Sequence, residues 1–264
     1  MKRIGDKTIW ITGASSGIGE ALTYELSKLG CSLVISSRNE AQLRTIKNKC
    51  TYPEQVHMLC LELDDYQGMD DVVLKAISFY GQIDILINNA GISQRSLIAN
   101  TDIEVYKKLM DTNYLGTVAL TKAILPHFIK QGKGQFVTVT SVMGKFGSPY
   151  RSGYCAAKHA LHGFFDVLRM EHEKDGILVT LICPGFVNTN IAKNALTGSG
   201  LKQLSNDHAT VNGLDPTVFA IKMIQAIREQ KFEAYIGKKE ILGVYLKRFL
   251  PKLLHRVVLK SEVR

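Results

Sequence analysis

The sequence predicts an α/β fold: a single domain built on a doubly wound parallel sheet with helices on both faces. Three observations predict it. Short, β-rich apolar runs alternate along the chain with longer segments whose apolar residues recur at helical spacing. A glycine-bearing turn follows the first of those runs and opens the first helical segment. The chain has 264 residues, 45% of them hydrophobic and 22% charged. That is enough to bury one large core, and no repeat, low-complexity tract or interior linker divides it.

In order, TIWITG (8–13) reads as the first strand and EALTYELSKLG (20–30) as the helix that returns along the sheet. CSLVISS (31–37) and HMLCLEL (57–63) supply two more strands, and MDDVVLKAISFYG (69–81) another amphipathic helix. IDILINNAG (83–91) is a fourth strand ending in a polar turn. Helical patterns around Asp102–Gln131 and Ser152–Lys174 flank the strand GQFVTVTS (134–141). LVTLICPG (178–185) and EAYIG (233–237) complete the sheet. Between them Ile191–Pro216 is polar and contains glycine, which predicts a long active-site loop or lid.

No apolar run approaches the roughly 18 residues that a spanning helix needs, and the N-terminal stretch enters a strand pattern without a signal-like apolar segment. The expectation is a cytoplasmic protein. Five scattered cysteines, Cys31, Cys50, Cys60, Cys155 and Cys183, lack metal-ligand spacing and suit a reducing compartment, so no metal is expected. The net charge of +9 is concentrated: Lys238–Arg264 carries eight Lys/Arg against two acids. Nucleic-acid binding is disfavoured because this charge lacks interleaved stacking aromatics.

TGASSGIG (12–19) stands between the first strand and helix, the context a phosphate-cradling turn requires. Gly13 permits the tight turn, and Gly17 and Gly19 remove Cβ atoms where backbone approaches a pyrophosphate and helix packs on strand. The spacing G-x-x-x-G-x-G departs from the common G-x-G-x-x-G. At the end of the second strand Ser37 occupies the place where an acid would bind a ribose 2′-hydroxyl, and Arg38 follows. A guanidinium suits a 2′-phosphate, which selects NADP(H) over NAD(H).

YCAAK places Tyr154 and Lys158 one helical turn apart, with both polar heads directed to one side. Taken with TGASSGIG, NNAG (88–91), Asn113 in DTNYLG, Ser141 in TVTSVMG and PGFVNT (184–189), in that order along the chain, this resembles the short-chain dehydrogenase/reductase superfamily in its single-domain, Rossmann-type form. Arg38 and the basic tail are similar to its hydroxysteroid-dehydrogenase-like branch. The resemblance implies an NADP(H)-dependent oxidoreductase acting on a carbonyl or secondary alcohol of a moderately apolar small molecule. Its catalytic set would be Asn113, Ser141, Tyr154 and Lys158. The cofactor would be held by Gly13, Ser15, Ser16, Gly17, Ile18, Gly19, Arg38, Asn89, Ala90, Gly91, Tyr154, Lys158, Pro184, Gly185, Val187 and Thr189. The adenine contact falls on Glu62, or on Asp64 if the register slips. Ser141, Met143, Ser93, Gln94 and the 191–216 loop would meet the substrate.

In that chemistry Tyr154 moves the proton, Lys158 favours the phenolate and holds ribose hydroxyls, and Ser141 bonds the substrate oxygen at a strand's carboxyl end. Asn113, by resemblance, positions a water on the proton path. A non-catalytic NADP-binding redox sensor is the competing reading, and it would need only the glycine turn and Arg38. The resemblance also implies a homodimer through the helices around 102–131 and 152–174. The catalytic body is expected over 1–240, followed by a basic amphipathic extension, 241–264. On one helical wheel Leu242, Leu246, Phe249, Leu250, Leu253 and Val257 share an arc opposite Lys247, Arg248, Lys252 and Arg256, with Pro251 starting or kinking a helix. Such a face either lies in a membrane interface or packs on the body or a partner subunit.

Overall fold

The computed structural model describes residues 4–261; residues 1–3 and 262–264, the outer ends of the expected body and extension, lie outside the described residues. Strands and helices alternate as β1 (Thr8–Thr12), α1 (Gly17–Lys28), β2 (Ser32–Ser37), α2 (Glu40–Lys49), β3 (Val56–Cys60), α3 (Met69–Ser78) and β4 (Ile85–Asn88). They continue as α4 (Ile103–Met110), α5 (Gly116–Gln131), β5 (Gly134–Val139), α6 (Ser152–Glu171), β6 (Ile177–Pro184), α7 (His208–Val211), α8 (Pro216–Arg228) and β7 (Glu233–Ile236). The chain then forms α9 (Leu242–Phe249) and α10 (Pro251–Lys260).

The seven strands form one parallel sheet in the order β3-β2-β1-β4-β5-β6-β7. β1 pairs with β2 from Thr8–Ser32 to Thr12–Ser36, and with β4 through Ile9–Ile85 and Ile11–Ile87. The strand order reverses on either side of β1. A crevice therefore opens beyond the carboxyl ends of β1 and β4, where connections leave to opposite faces.

Alternation along each strand feeds two cores. On one face Ile9, Ile11, Leu33 and Ile35 pack with Leu22, Leu26 and Leu43 of α1 and α2 and with Phe219 and Met223 of α8. On the other, Trp10, Val34 and Leu86 pack with Val73 of α3, Ile124 and Phe128 of α5 and Phe165 of α6. Burial on both faces explains why the central strands read as continuous apolar runs.

Two expected elements take a different form. The helix around 102–131 is interrupted by a π-turn, Asp111–Leu115, between α4 and α5, which displaces Asn113 from the regular helical ladder. The extension is two helices with a break at Leu250 (φ −136°, ψ 61°), and Pro251 occupies the first turn of α10. The single-wheel arc is corrected accordingly. The inward residues are Gly243, Val244, Leu246, Leu254 and Val258, which meet Val142 and Phe146 of the body, while Leu242, Phe249, Leu250, Leu253 and Val257 face outward. Among the described residues no helix is long and apolar enough to cross a membrane.

Candidate active site

A cleft of about 690 Å³ lies over the carboxyl ends of the strands. Its floor at one end is the first strand–helix turn. Gly13 (φ 65°) and Gly17 (φ 59°) adopt the left-handed conformation that favours glycine. A Cβ at Gly13 would lie 2.7 Å from Ala90 Cα, and one at Gly19 would lie 2.3 Å from the Gly13 carbonyl oxygen and 2.6 Å from Asn89 Nδ2. The Asn89 amide donates to the carbonyls of Thr12 (3.0 Å) and Gly13 (3.2 Å), while Thr12 Oγ1 accepts from the backbone N–H of Asn89 and of Ala90, both at 3.1 Å. The glycine turn and the polar turn after β4 thus hold each other. Ser15, Ser16, Gly17 and Ile18 line the cleft, whereas Gly19 sits beneath it as a packing position.

Toward the outer rim Ser37, Arg38 and Asn39 line the cleft. Ser37 Oγ accepts from Asn39 N at 3.1 Å, and Asn39 Oδ1 caps α2 through Gln42 N at 3.0 Å. Arg38 projects outward, its side chain 61% exposed, with Glu62 3.5 Å away and itself 55% exposed. Of the two acids expected at the adenine end, Asp64 lines the cleft with Leu61 and Leu63, whereas Glu62 does not line it and meets Arg38 at the rim. Asp64 is paired with Lys108 of α4. Burial works against its charge, but the hydrogen bond and the charge of Lys108 hold its carboxyl below the ordinary range.

The inner end holds Ser141, Tyr154 and Lys158 on one wall. Lys158 Nζ donates to the Val139 carbonyl at 2.8 Å and lies 5.7 Å from the Tyr154 ring centroid. Burial brings its ammonium down to about 8. Tyr154 is buried, and burial raises its phenol, opposed by a hydrogen bond with Ser141 and by the charges of Arg95 and Arg151. Ser141 Oγ accepts from Met143 N at 3.1 Å, which caps the turn Val142–Gly144 and holds the hydroxyl at the end of β5.

Asn113 is fully buried, and its amide is committed to one backbone unit: Oδ1 accepts from Ile92 N at 2.8 Å and Nδ2 donates to Ile92 O at 2.9 Å. Gly91 makes room for this. Its Cβ would lie 2.9 Å from Asn113 Oδ1 and 3.6 Å from Lys158 Nζ. The π-turn therefore ties the strand-end turn to the surroundings of Lys158. Asn88 points inward, donating to Thr121 Oγ1 at 3.2 Å.

Pro184, Gly185, Val187 and Thr189 line the opposite wall, and a Cβ on Gly17 would meet Thr189 at 3.0 Å. Glu240, which no sequence pattern marked, braces this wall by accepting from Phe186 N (2.9 Å) and Lys238 N (3.0 Å), and Gly185 and Gly237 leave space for its carboxylate. Asn190 and, from the 191–216 loop, Ile191, Asn194, Leu196, Gly200 and Lys202 also line the cleft, with a short bridge between Leu196 and Lys202.

The predicted substrate contacts need correction. Ser141 lines the cleft, but Ser93 and Gln94 are buried behind its wall. Gln94 Oε1 accepts from Gly153 N at 2.7 Å, so its amide is consumed in anchoring the start of α6, and Ile92 takes its place on the surface. Met143 turns toward Val142, Phe146 and the C-terminal helices. His162, Cys183 and Glu233 also approach one another, but the imidazole lies between its neighbours, Nδ1 3.2 Å from Glu233 and Nε2 3.8 Å from Cys183, and Lys145 already pairs with Glu233. That is a chain of contacts, not a chelate.

The fold is a Rossmann-like α/β domain with a cleft over the carboxyl ends of its parallel strands, and comparison with known proteins gives its family. The short chain dehydrogenase family profile matches residues 7–200. The chain belongs to the short-chain dehydrogenase/reductase family. It is 42% identical over 253 residues to human dehydrogenase/reductase SDR family member 7, covering 93% of this chain and 75% of the relative. It is 36% identical over 266 residues to the Drosophila melanogaster family protein 7-like, covering 98% and 81%. Among solved structures, a short chain dehydrogenase/reductase from Burkholderia phymatum in complex with NAD superposes with a TM-score of 0.85 over 96% of both chains at 22% identity, a likeness of fold. ElxO with NADP bound gives 0.67 at 31% identity over 69% of this chain and 75% of its own.

Proposed function

We propose that the protein is an NADP(H)-dependent oxidoreductase that interconverts a carbonyl and a secondary alcohol on a moderately apolar small molecule. The observation that carries this reading is the convergence of Ser141, Tyr154 and Lys158 on one wall of a cleft whose other end is a glycine turn with Arg38 at its rim. The dinucleotide is supported by the space itself: side chains at Gly13, Gly17 and Gly91 would intrude on the groove or its walls. Gly13–Ile18 would hold the pyrophosphate, Arg38 the 2′-phosphate, Asp64 and its neighbours the adenine end, and Lys158, Val187 and Thr189 the nicotinamide end. When bound, NADPH supplies the hydride.

Tyr154 supplies the proton. Burial keeps the phenol protonated near neutrality, the state a donor to a developing alkoxide needs. With its ammonium at about 8, Lys158 remains roughly nine-tenths charged at pH 7, so it can stabilise the phenolate left behind. Ser141, held by its turn, offers a hydroxyl to the same substrate oxygen. Asn113 keeps Gly91 and Ile92 in place beside Lys158 and, by its position, supports a water path from that ammonium. The wall formed by Ile92, Ile191 and Leu196 suits an apolar substrate body.

The test is Tyr154→Phe with a panel of ketones. Turnover of NADPH should fall at least 100-fold while NADPH binding stays within about twofold, as expected for loss of one general acid. Near wild-type rates on every active ketone would refute the assignment. A wild-type protein that binds NADPH yet turns over no carbonyl would favour a redox sensor.

We also infer a peripheral membrane contact through α9 and α10. Phe249 is 75% exposed and Leu250 54%, beside Lys247, Arg248 and Lys252, a pairing suited to an anionic lipid surface. The same helices pack on Val142 and Phe146, one and five residues after Ser141, so lipid would lie near the substrate end. Exposed Leu115 on the turn before α5, Ile129 on α5 and Val167 and Met170 on α6 favour a homodimer through these helices.

A further inference from the structure

Three charged side chains meet behind the substrate end of the cleft, and apart from the charge that Arg95 and Arg151 place near Tyr154 the chemistry above gives them no role. Arg95 lies on the loop after β4, Arg151 at the N-cap of α6, and Asp207 in the loop between β6 and α7. Their side chains are 4%, 4% and 1% exposed. Asp207 Oδ2 accepts from Arg95 Nε at 2.8 Å, from Arg95 Nη2 at 2.5 Å and from Arg151 Nη2 at 3.0 Å, and Oδ1 accepts from Gln203 Nε2 at 3.3 Å. Arg95 Nη1 also donates to Ser93 Oγ at 2.8 Å and to the Gln94 carbonyl at 2.6 Å.

The cluster joins segments 112 and 56 residues apart in sequence. Each of the three carries part of the site. Ile92, three residues before Arg95, lines the cleft; Tyr154 stands three residues after Arg151; and Asn194 and Lys202 belong to the loop that ends at Asp207. Between its ends that loop holds no helix or strand: the body reaches it through the bridge of Leu196 with Gln94 and the bond Asp102 N to Gly198 O (2.9 Å), and the rest is bonding within the loop, such as Gln203 N to Ala195 O (2.9 Å) and Leu204 N to Lys193 O (2.9 Å). Burying charged groups costs several kcal/mol each, and apolar replacements of similar shape are commonly as stable, so net stability is a poor explanation for an arginine pair on one buried carboxylate. Directional, charge-assisted bonding, here three guanidinium N–H groups converging on Asp207 Oδ2, is what such a group supplies over an apolar plug.

We propose that Arg95, Arg151 and Asp207 form a latch that fixes the 191–206 loop against the start of the catalytic helix, with Asp207 as the positioning residue for the substrate end of the site. Asp207 acts through the loop and touches neither the glycine turn nor Arg38. The kinetic side of this inference rests on the oxidoreductase reading; the structural side does not.

The experiment compares wild type, Asp207→Asn and Arg95→Lys by hydrogen–deuterium exchange and by kinetics. In Asp207→Asn the amides of 193–204 should exchange at least tenfold faster while those of β1, β4 and β5 keep their protection. Arg95→Lys, which retains charge but loses the fork, should lie between. With an active ketone, KM should rise about tenfold in Asp207→Asn with a smaller change in kcat and with NADPH affinity within twofold. Unchanged loop exchange overturns the latch. So does loosening of the sheet to the same degree as the loop in both variants, since the cluster is then a general stability element. If wild type turns over no ketone, the oxidoreductase reading fails and the loop exchange still decides the latch.

Discussion

Replacing Arg38 by glutamine tests the proposed preference for NADPH over NADH. Arg38 is the charged side chain on the Ser37–Asn39 rim; Ser37 and Asn39 are occupied with each other and with the α2 cap. Its contact with Glu62 is long at 3.5 Å and both partners stand in solvent, so that pair is worth under about 1 kcal/mol and does not withhold the guanidinium from a phosphate. A hydrogen-bonded pair between charged groups contributes about 1.5–3 kcal/mol, and a desolvated one more, about 2–5 kcal/mol. With 61% of the side chain exposed, the low end applies. About 1.5 kcal/mol corresponds to a factor of about 10. Arg38→Gln should therefore lower kcat/KM for NADPH about tenfold and leave NADH within twofold, measured at 50 mM salt with one ketone. The gap should narrow at 1 M salt, where the Debye length falls to about 3 Å. Arg38→Asp should go further and move preference toward NADH, because a carboxylate repels the phosphate and accepts ribose hydroxyls. An unchanged NADPH/NADH ratio in Arg38→Gln would show that another group reads the phosphate.

Three further outcomes follow from the geometry. Gly91→Ala places a methyl 2.9 Å from Asn113 Oδ1, and loss of the two bonds to Ile92 should cost about 2 kcal/mol in urea unfolding, at about 1 kcal/mol each; unchanged stability and turnover would refute the packing. Because burial lowers Lys158 from 10.5 to about 8, the unfolded chain binds the extra proton between those values, and stability rises with pH through that window. The unfolding free energy of wild type relative to Lys158→Met should increase by about 2 kcal/mol from pH 7 to 9.5, and the buried Cys31 and Cys183, present in both proteins, cancel from the difference. Finally, Phe249→Asp with Leu250→Asp should abolish sedimentation with anionic vesicles at low salt without lowering Tm, since both side chains face outward; wild-type protein that ignores such vesicles, or a variant that still binds, would leave α9 and α10 as packing helices alone.

Much of the site is legible in the chain because its chemistry is local. The glycines of 12–19 and the Tyr154–Lys158 pair are each defined within two helical turns, and strand ends show where apolar runs stop. Direction is less legible than location. Ser93 and Gln94 belong to the right loop, but in an irregular segment no period says which side chain faces the cleft, and the need to satisfy Gly153 N drew the Gln94 amide inward. The tail misled for a related reason: one wheel assumes one continuous helix, and the break at Leu250 rotates α10 relative to α9, so Leu254 and Val258 turn inward where Leu253 and Val257 were expected.

What the sequence determined by itself is the α/β class, the order of the strands along the chain and the places of the glycine turn and of Ser141, Tyr154 and Lys158, on which the proposed function rests, since backbone sterics, period and turn chemistry act over a few residues. What only the tertiary structure decided is how distant charges meet: Lys108 on Asp64, Glu240 beneath the Pro184–Val187 turn, and Arg95 and Arg151 on Asp207. An ion pair leaves no periodic trace along the chain, and its partners are chosen when buried groups, brought together by the packing of the sheet and its helices, must find a bond or remain without one.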